Sequence, residues 1–380
     1  MGVVLCSLTD LIPKGGNCLY MNITRICLIS LFSVFIACSS EQQDEGYATA
    51  PFDTLSIVDT IGMMYGDSNY VFGSISDVDR DQDGSICVLD RKRHCILLYS
   101  QSGEFIRQIG RYGEGPGEFN EPAVLVVTGD GSMLVNGMLW SRFGEELEFL
   151  DSEPISGYTI MEMESYGDDS IIGVLNYLDV VSGGMSVDRR IAMWSEFNPE
   201  SLLTVFYQVD HVANVPQDII AIDRYHYVEF TVIDELIYVA PQPLTEPLIV
   251  RYDEEGNSLD TLLLPYQTVP KTDEDMTEEK SFIEGNLSHN TSGRMSIDWE
   301  PHPNRAMITE LGTDSLGRLW VQRGFEEIAT FDIIDPGNLE IVETAVIPEI
   351  DDLLHWEFNI SEHGLLGITE YDYPVIYIIE

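Results

Sequence analysis

Lysine is almost missing from this chain. Only Lys14, Lys92, Lys271 and Lys280 carry it. Lys and Arg together number 19 against 65 Asp and Glu, a formal net charge of −46 over 380 residues. Such a field repels phosphate backbones and anionic headgroups, which argues against nucleic acid as a partner. Two readings stay open, attraction of cationic ligands or a solubility shell suited to salty surroundings. Compact catalytic signatures are missing too. The histidines (His94, His211, His226, His289, His302, His355 and His363) show no H-x-x-x-H spacing, so a zinc centre would have to gather ligands from distant segments. No G-x-S-x-G elbow occurs, which leaves a serine hydrolase of the α/β type unsupported. The glycine-rich Gly110–Gly117 lacks the Gly-Lys-Ser/Thr ending of a phosphate cradle and reads as a crossover instead.

Hydrophobic runs are short. Ile26–Ala37 is a mostly apolar stretch of 12 residues preceded by Arg25, too short to span a bilayer comfortably but suited to a signal-peptide core. Phe35-Ile36-Ala37-Cys38 resembles the bacterial lipobox, with Phe35 in place of the usual leucine. That resemblance implies lipidation at Cys38; an ordinary cleaved secretory signal and a retained signal anchor are the alternatives. Met21 is a second plausible start, and the Pro13, Gly15 and Gly16 before it suit an n-region poorly, so 1–20 reads as a start assigned too early. Myristoylation is excluded because position 6 is Cys6. Residues 39–51 are a polar tether.

Cysteine is scarce in the part expected to fold. Cys6, Cys18 and Cys27 fall in the leader, leaving Cys87 and Cys95. These flank a turn centred on Arg91, which makes them direct cross-strand neighbours. The expectation is either a disulfide in an oxidising compartment or two unpaired buried thiols.

What the chain does have is repetition. In Ile75–Gly110 four β-rich stretches alternate with turn clusters at Asp83-Gly84, Asp90–Arg93 and Gln101–Gly103. Asp83-Gly84-Ser85-Ile86-Cys87-Val88 matches Asp130-Gly131-Ser132-Met133-Leu134-Val135, and Ser315–Val321 is a further copy. Looser ones lie at Asp169–Val174, Glu235–Val239 and His363–Ile368. Asp-Gly supplies the positive φ that a tight strand reversal needs. A repeated four-stranded unit is the signature of a propeller blade. The C-terminal unit, Leu353–Glu380, supplies only three strands, while Phe52–Gly62 resembles an outer strand with no blade before it. The fold class is therefore all-β, a six-bladed β-propeller whose N-terminal strand completes the last blade and closes the ring. An insertion at about 267–303 interrupts the rhythm, with Asp273–Ile283 readable as a short acidic helix; such insertions commonly sit on one face near the channel.

The string Arg111-Tyr-Gly-Glu-Gly-Pro-Gly-Glu-Phe119 brings a family into view. With the D-x-D-G turn, Val88-Leu89-Asp90 and an outer strand ending in Ile109-Gly110, it resembles bacterial six-bladed propellers of the NHL-repeat type. That resemblance implies the propeller fold and commonly an exported lipoprotein. The same group includes lyases that use metal-binding histidines on channel-facing strands. Here the junction Phe119-Asn-Glu-Pro122 has no histidine beside its proline, which counts against that branch.

Site expectations follow. Asp79, Asp81, Asp83 and Asp90 have the acidic spacing of a calcium loop, although strand flanks favour an ordinary hairpin turn. For a ligand, aromatic and basic loop residues are the natural contacts: Tyr112, Trp140, Arg142, Trp299, His302 and Arg305. The whole reads as a bacterial lipoprotein of the cell envelope, on the periplasmic or outer-surface side. Residues 1–38 are its signal segment, 52–380 its propeller, and a lipid anchor its only membrane contact. Its task is binding a protein, peptide or glycan on one face of the ring. The alternatives are a metal-dependent lyase or hydrolase in the channel, or a structural partner in an envelope assembly.

Overall fold

The computed structural model describes residues 51–155, 157–181, 184–195, 202–213, 228–290 and 300–380. Cys38, the lipobox and Trp299 lie outside them.

The chain begins with β1 (Phe52–Thr54) and β2 (Ile57–Ile61). Blade one is β3 (Ile75–Arg80), β4 (Ile86–Asp90), β5 (Cys95–Tyr99) and β6 (Phe105–Ile109). Blade two is β7 (Val124–Val127), β8 (Met133–Asn136), β9 (Leu139–Phe143) and β10 (Phe149–Pro154). Blade three has longer strands: β11 (Tyr158–Tyr166), β12 (Ser170–Val181), β13 (Gly184–Ser195) and β14 (Leu202–Ala213). Blade four is β15 (Glu229–Ile233), β16 (Leu236–Ala240), β17 (Leu248–Tyr252) and β18 (Ser258–Leu263), followed by helix α1 (Asp273–Asn290). Blade five is β19 (Ile308–Thr313), β20 (Leu319–Arg323), β21 (Ile328–Asp335) and β22 (Glu340–Asp351). Blade six opens with β23 (Trp356–Ser361), β24 (Gly364–Thr369) and β25 (Val375–Ile379).

Each blade is an antiparallel meander, and β2 supplies the outer strand of blade six, pairing Ile61 with Ile376 and Ile57 with Ile379. The expected closure is therefore present, with one refinement. β1 does not join blade six but runs parallel to β22 in blade five, Phe52 opposite Thr344. One N-terminal segment thus ties two neighbouring blades together.

Local chemistry explains the hairpins. Asp81 Oδ1 accepts the N–H groups of Asp83 (3.0 Å) and Ser85 (2.8 Å), and Gly84 adopts φ +78°. Asp130 repeats the device on Ser132 N–H (2.8 Å), with Gly131 at φ +83°. Such side-chain bonds fix the turn before any packing is made. The middle strands are covered on both faces, so every residue of β4 and β5 is buried and their sequences read as unbroken apolar runs. The core is six apolar clusters, one wedged between each adjacent pair of blades. Ile86 and Val88 face blade six, while Cys87 and Leu89 face blade two.

That alternation corrects the disulfide expectation. The tip between β4 and β5 is a four-residue turn, Arg91–His94, with His94 at φ +55°. Cys87 therefore opposes Leu98 and Cys95 opposes Asp90, which puts the two sulfurs on opposite faces of the sheet. Both thiols are free and buried. Burial pushes the Cys95 thiol up to about 11 and Cys87 well above its ordinary value, so neither is a nucleophile at neutral pH.

Helix α1 starts on a reciprocal cap. Thr272 Oγ1 accepts Asp275 N–H (3.1 Å), and Asp275 Oδ2 accepts Thr272 N–H (2.9 Å). Asp273, Glu274 and Asp275 in its first turn complement the helix dipole. Polar contacts hold it to the ring: Lys271 pairs with Glu279, and Arg305 reaches Asp275 at 3.1 Å.

Candidate functional site: the acidic channel and its helix-covered mouth

The innermost strand of a blade is a sheet edge, and its outward N–H groups need acceptors. Here carboxylates of the preceding blade provide them. Asp77 and Asp79 on β3 accept the N–H groups of Leu125 and Val127 on β7, each at 2.7 Å. Glu164 on β11 accepts Val232 N–H of β15 (2.8 Å), and Glu310 on β19 accepts Phe358 N–H of β23 (3.3 Å). Asn359 Nδ2 on β23 links the last blade to the first by donating to Val78 O on β3 (3.0 Å). Side chains facing the channel thus latch the inner strands at four of the junctions between blades.

This ring encloses a central cavity of about 2040 Å³. Carboxylates dominate its wall. Among the described lining residues the Lys and Arg side chains are Arg80, Arg189, Lys271 and Arg305. Lys271 and Arg305 are paired as above, Arg80 donates to Gly84 O (3.0 Å), and Arg189 donates to Asn176 Oδ1 (2.8 Å). Crowding acids in a protein-walled channel disfavours their charged form. Burial pushes Asp77 and Glu164 up to about 8 and Asp79 up to about 6, although each accepts a backbone N–H that opposes the rise. Glu162 and Glu310 lie well above the ordinary carboxylate range, first through burial and then through repulsion from acidic neighbours, including Glu229 for Glu162 and Glu357 for Glu310. Part of the channel wall is therefore neutral acid at pH 7, able to donate as well as accept hydrogen bonds.

The two ends differ. One rim carries the glycine hairpins between first and second strands, represented in the lining by Asp81, Gly129 and Gly317. At the other, Glu278, Glu279, Phe282 and Gly285 of α1 line the cavity beside Leu353, Trp356 and Tyr371. His302 and Arg305, both expected at a ligand site, lie at this end. His302 Nδ1 accepts Asn304 N–H (3.2 Å), and Arg305 lies against Asp275.

The other expected contacts are elsewhere. Tyr112 is 67% exposed in the crossover between blades one and two, its ring 4.8 Å from His94. Trp140 is 3% exposed and packs in the core between blades two and three. Arg142 pairs with Asp151 at 3.0 Å, where β9 meets the outer strand β10. Nor are Asp79, Asp81, Asp83 and Asp90 brought together. Asp90 sits at the far end of β4, fully buried, and accepts the N–H groups of Gly73 (2.7 Å), Ser74 (3.2 Å) and Arg93 (2.9 Å). A calcium loop would have to fold back on itself, whereas a strand carries its last residue away.

The channel acids were missed in the sequence although a signal existed. Asp77 and Asp79 alternate with Ser76, Val78 and Arg80, and Glu162 and Glu164 alternate with Met161 and Met163. Acids at a period of two on the first strand of a blade mark the channel face.

The sequence pattern of the family DUF5128, described as 6-bladed beta-propeller, matches residues 63–134. No curated protein matches the chain. Among solved structures, a Bacteroides fragilis protein provisionally described as exported shares 9% identity at a TM-score of 0.49, covering 87% of this chain and 98% of that one. Virginiamycin B lyase from Staphylococcus aureus shares 12% identity at a TM-score of 0.40, covering 86% and 98% respectively. Likeness that remote carries neither ligand nor reaction over to this chain. The six radial sheets and the family match agree on the architecture: the chain is a six-bladed β-propeller.

Proposed function

We propose that this chain is an exported lipoprotein, anchored through Cys38, whose ring binds a peptide carrying basic side chains at the α1-covered mouth of the channel. The observation that carries the reading is the mouth itself. Aromatic rings of Phe282, Trp356 and Tyr371 stand beside the acidic Glu278, Glu327, Asp351 and Asp352 around one opening of a large cavity. Aromatic faces next to carboxylates suit guanidinium and ammonium groups, which gain cation–π and charge-assisted contacts together. Residues 39–51 would give the ring a reach of about 45 Å from its anchor if fully extended. Nucleic acid fits poorly with a net charge of −46.

The test is a titration of the full-length chain with fluorescent tetra-arginine, tetraglutamate and a neutral tetrasaccharide. Tetra-arginine alone should bind, and the double variant Glu327→Gln, Asp351→Asn should weaken it at least fivefold. Glu104→Gln, an exposed acid on an outer hairpin, should leave affinity unchanged. Equal loss from the remote and mouth variants would mean that the overall field, not the mouth, holds the peptide. Binding of the tetrasaccharide instead would overturn the choice of ligand.

A further inference from the structure

Where α1 meets the turn between blades five and six, three ligand-bearing side chains converge. His355 Nε2 lies 3.4 Å from Asp352 Oδ2 and 3.9 Å from Glu278 Oε1, and the candidate ligand atoms of the three residues all lie within 4.8 Å of one another. An acidic pair beside a helix would mean little alone. The imidazole makes the difference. Its side chain is only 7% exposed, held edge-on to Phe282 at 4.7 Å and against Tyr371 at 4.3 Å, and neither Nδ1 nor Nε2 has a hydrogen-bond partner. A buried imidazole with both nitrogens unused costs free energy unless something occupies it.

Asp352 precedes a short 3-10 turn, Leu353–His355, and its side chain makes no cap bond there. Its backbone is left-handed (φ 58°, ψ 63°), an uncommon state for a non-glycine residue.

We infer that Glu278, Asp352 and His355 hold one divalent transition-metal ion, Zn²⁺ by the chemistry of the donor set. One imidazole nitrogen and two carboxylates suit zinc, whereas calcium takes six to eight oxygens. Bonds of about 2.0–2.2 Å place tetrahedral ligand atoms about 3.4 Å apart. Closing from the present spread needs only rotamer changes of Glu278 and Asp352, each nearly half exposed. Such an ion would pin α1 to the ring across the cavity mouth. All three residues line that cavity, so the fourth position would face whatever enters it.

The experiment strips the full-length chain with chelator, then titrates Zn²⁺ by calorimetry and Co²⁺ by visible absorption, with Ca²⁺ as the comparison. Wild-type protein should bind one Zn²⁺ and show the intense d–d bands of four-coordinate Co²⁺. Two variants test the assignment. His355→Phe keeps an aromatic ring between Phe282 and Tyr371, and Glu278→Gln alters a half-exposed helix position, so neither threatens the fold. Each should lower Zn²⁺ affinity at least tenfold and abolish the Co²⁺ bands. No Zn²⁺ uptake by the wild type would overturn the inference. A site equally strong in both variants would put the metal elsewhere, on the leader cysteines for instance. Tighter binding of Ca²⁺ than of Zn²⁺ would overturn the choice of ion.

Discussion

Gly173 on β12 sits where an inner hairpin strand passes under Trp194, a fully buried side chain. A Cβ there would lie 2.4 Å from Glu162 O and 2.7 Å from Trp194 Cη2. Backbone and a packed indole cannot both yield, so Gly173→Ala should cost about 1–3 kcal/mol, read as a lower urea midpoint at unchanged slope. Asp332 is fully buried and accepts hydrogen bonds from Tyr266 Oη (2.6 Å), Arg323 Nε (2.9 Å) and Thr344 Oγ1 (2.9 Å). Removing the guanidinium strands that charge, so Arg323→Ala should cost about 3 kcal/mol or more by the same measurement. Single residues were the hardest scale to read ahead of the structure. Cys87 and Cys95 look like partners until the turn is known to have four residues, and that shift flips one of them to the other face. Asp90 looks like a ligand because spacing along a chain says nothing about which end of a strand a side chain occupies. Trp140 resembles a contact residue by type, but burial is decided by the neighbouring blade.

Elements were far more legible. The turns at Gly84, Gly131 and Gly317 all lie between the first and second strands of a blade, because nearby Asp side chains and positive-φ glycines specify reversals locally. The middle of the ring was less regular in sequence for a plain reason. β12, β13 and β14 are each 12 residues long, more than double β4 or β5, so the period stretches there. At this scale the inner strands carry a pH signature. Asp77, Asp79 and Glu164 titrate higher in the folded ring than in an unfolded chain. The native state therefore binds more protons than the unfolded one between about pH 4 and 8, and unfolding becomes easier as pH rises through that window. Urea midpoints should fall from pH 5 to pH 8, and Asp77→Asn should flatten the slope while its amide oxygen still accepts Leu125 N–H. A slope unchanged in that variant would remove Asp77 from the account. Below about pH 4 the sign reverses, because Asp130, Asp275 and Asp314 titrate lower when folded.

For the whole ring, closure depends on eleven residues, 52–62, near the start of the described part. β2 completes blade six and β1 edges blade five. Deleting 52–62 exposes β25 and the rim of β22 at once, and uncovers the apolar cluster containing Ile61. We expect a lower melting temperature, a broadened transition and association through the bared edges, seen as larger species in light scattering. Adding the missing segment back as a peptide should reverse that association. Closure was legible because a surplus outer strand at one end and a deficient blade at the other leave little choice. The helix-covered mouth was not, since nothing in Gln267–Pro303 announces which face it will lie over.

The fastening has an implication for birth order. The strand that locks the circle is made by the ribosome before any blade, yet its partner β25 emerges only after five blades have been made. Throughout synthesis the early ribbon must wait, unpaired, for a mate several hundred residues away. A nascent chain halted short of β25 has finished five sheets and still cannot become a ring. Ring closure therefore waits on β25, whatever the order in which the earlier blades fold.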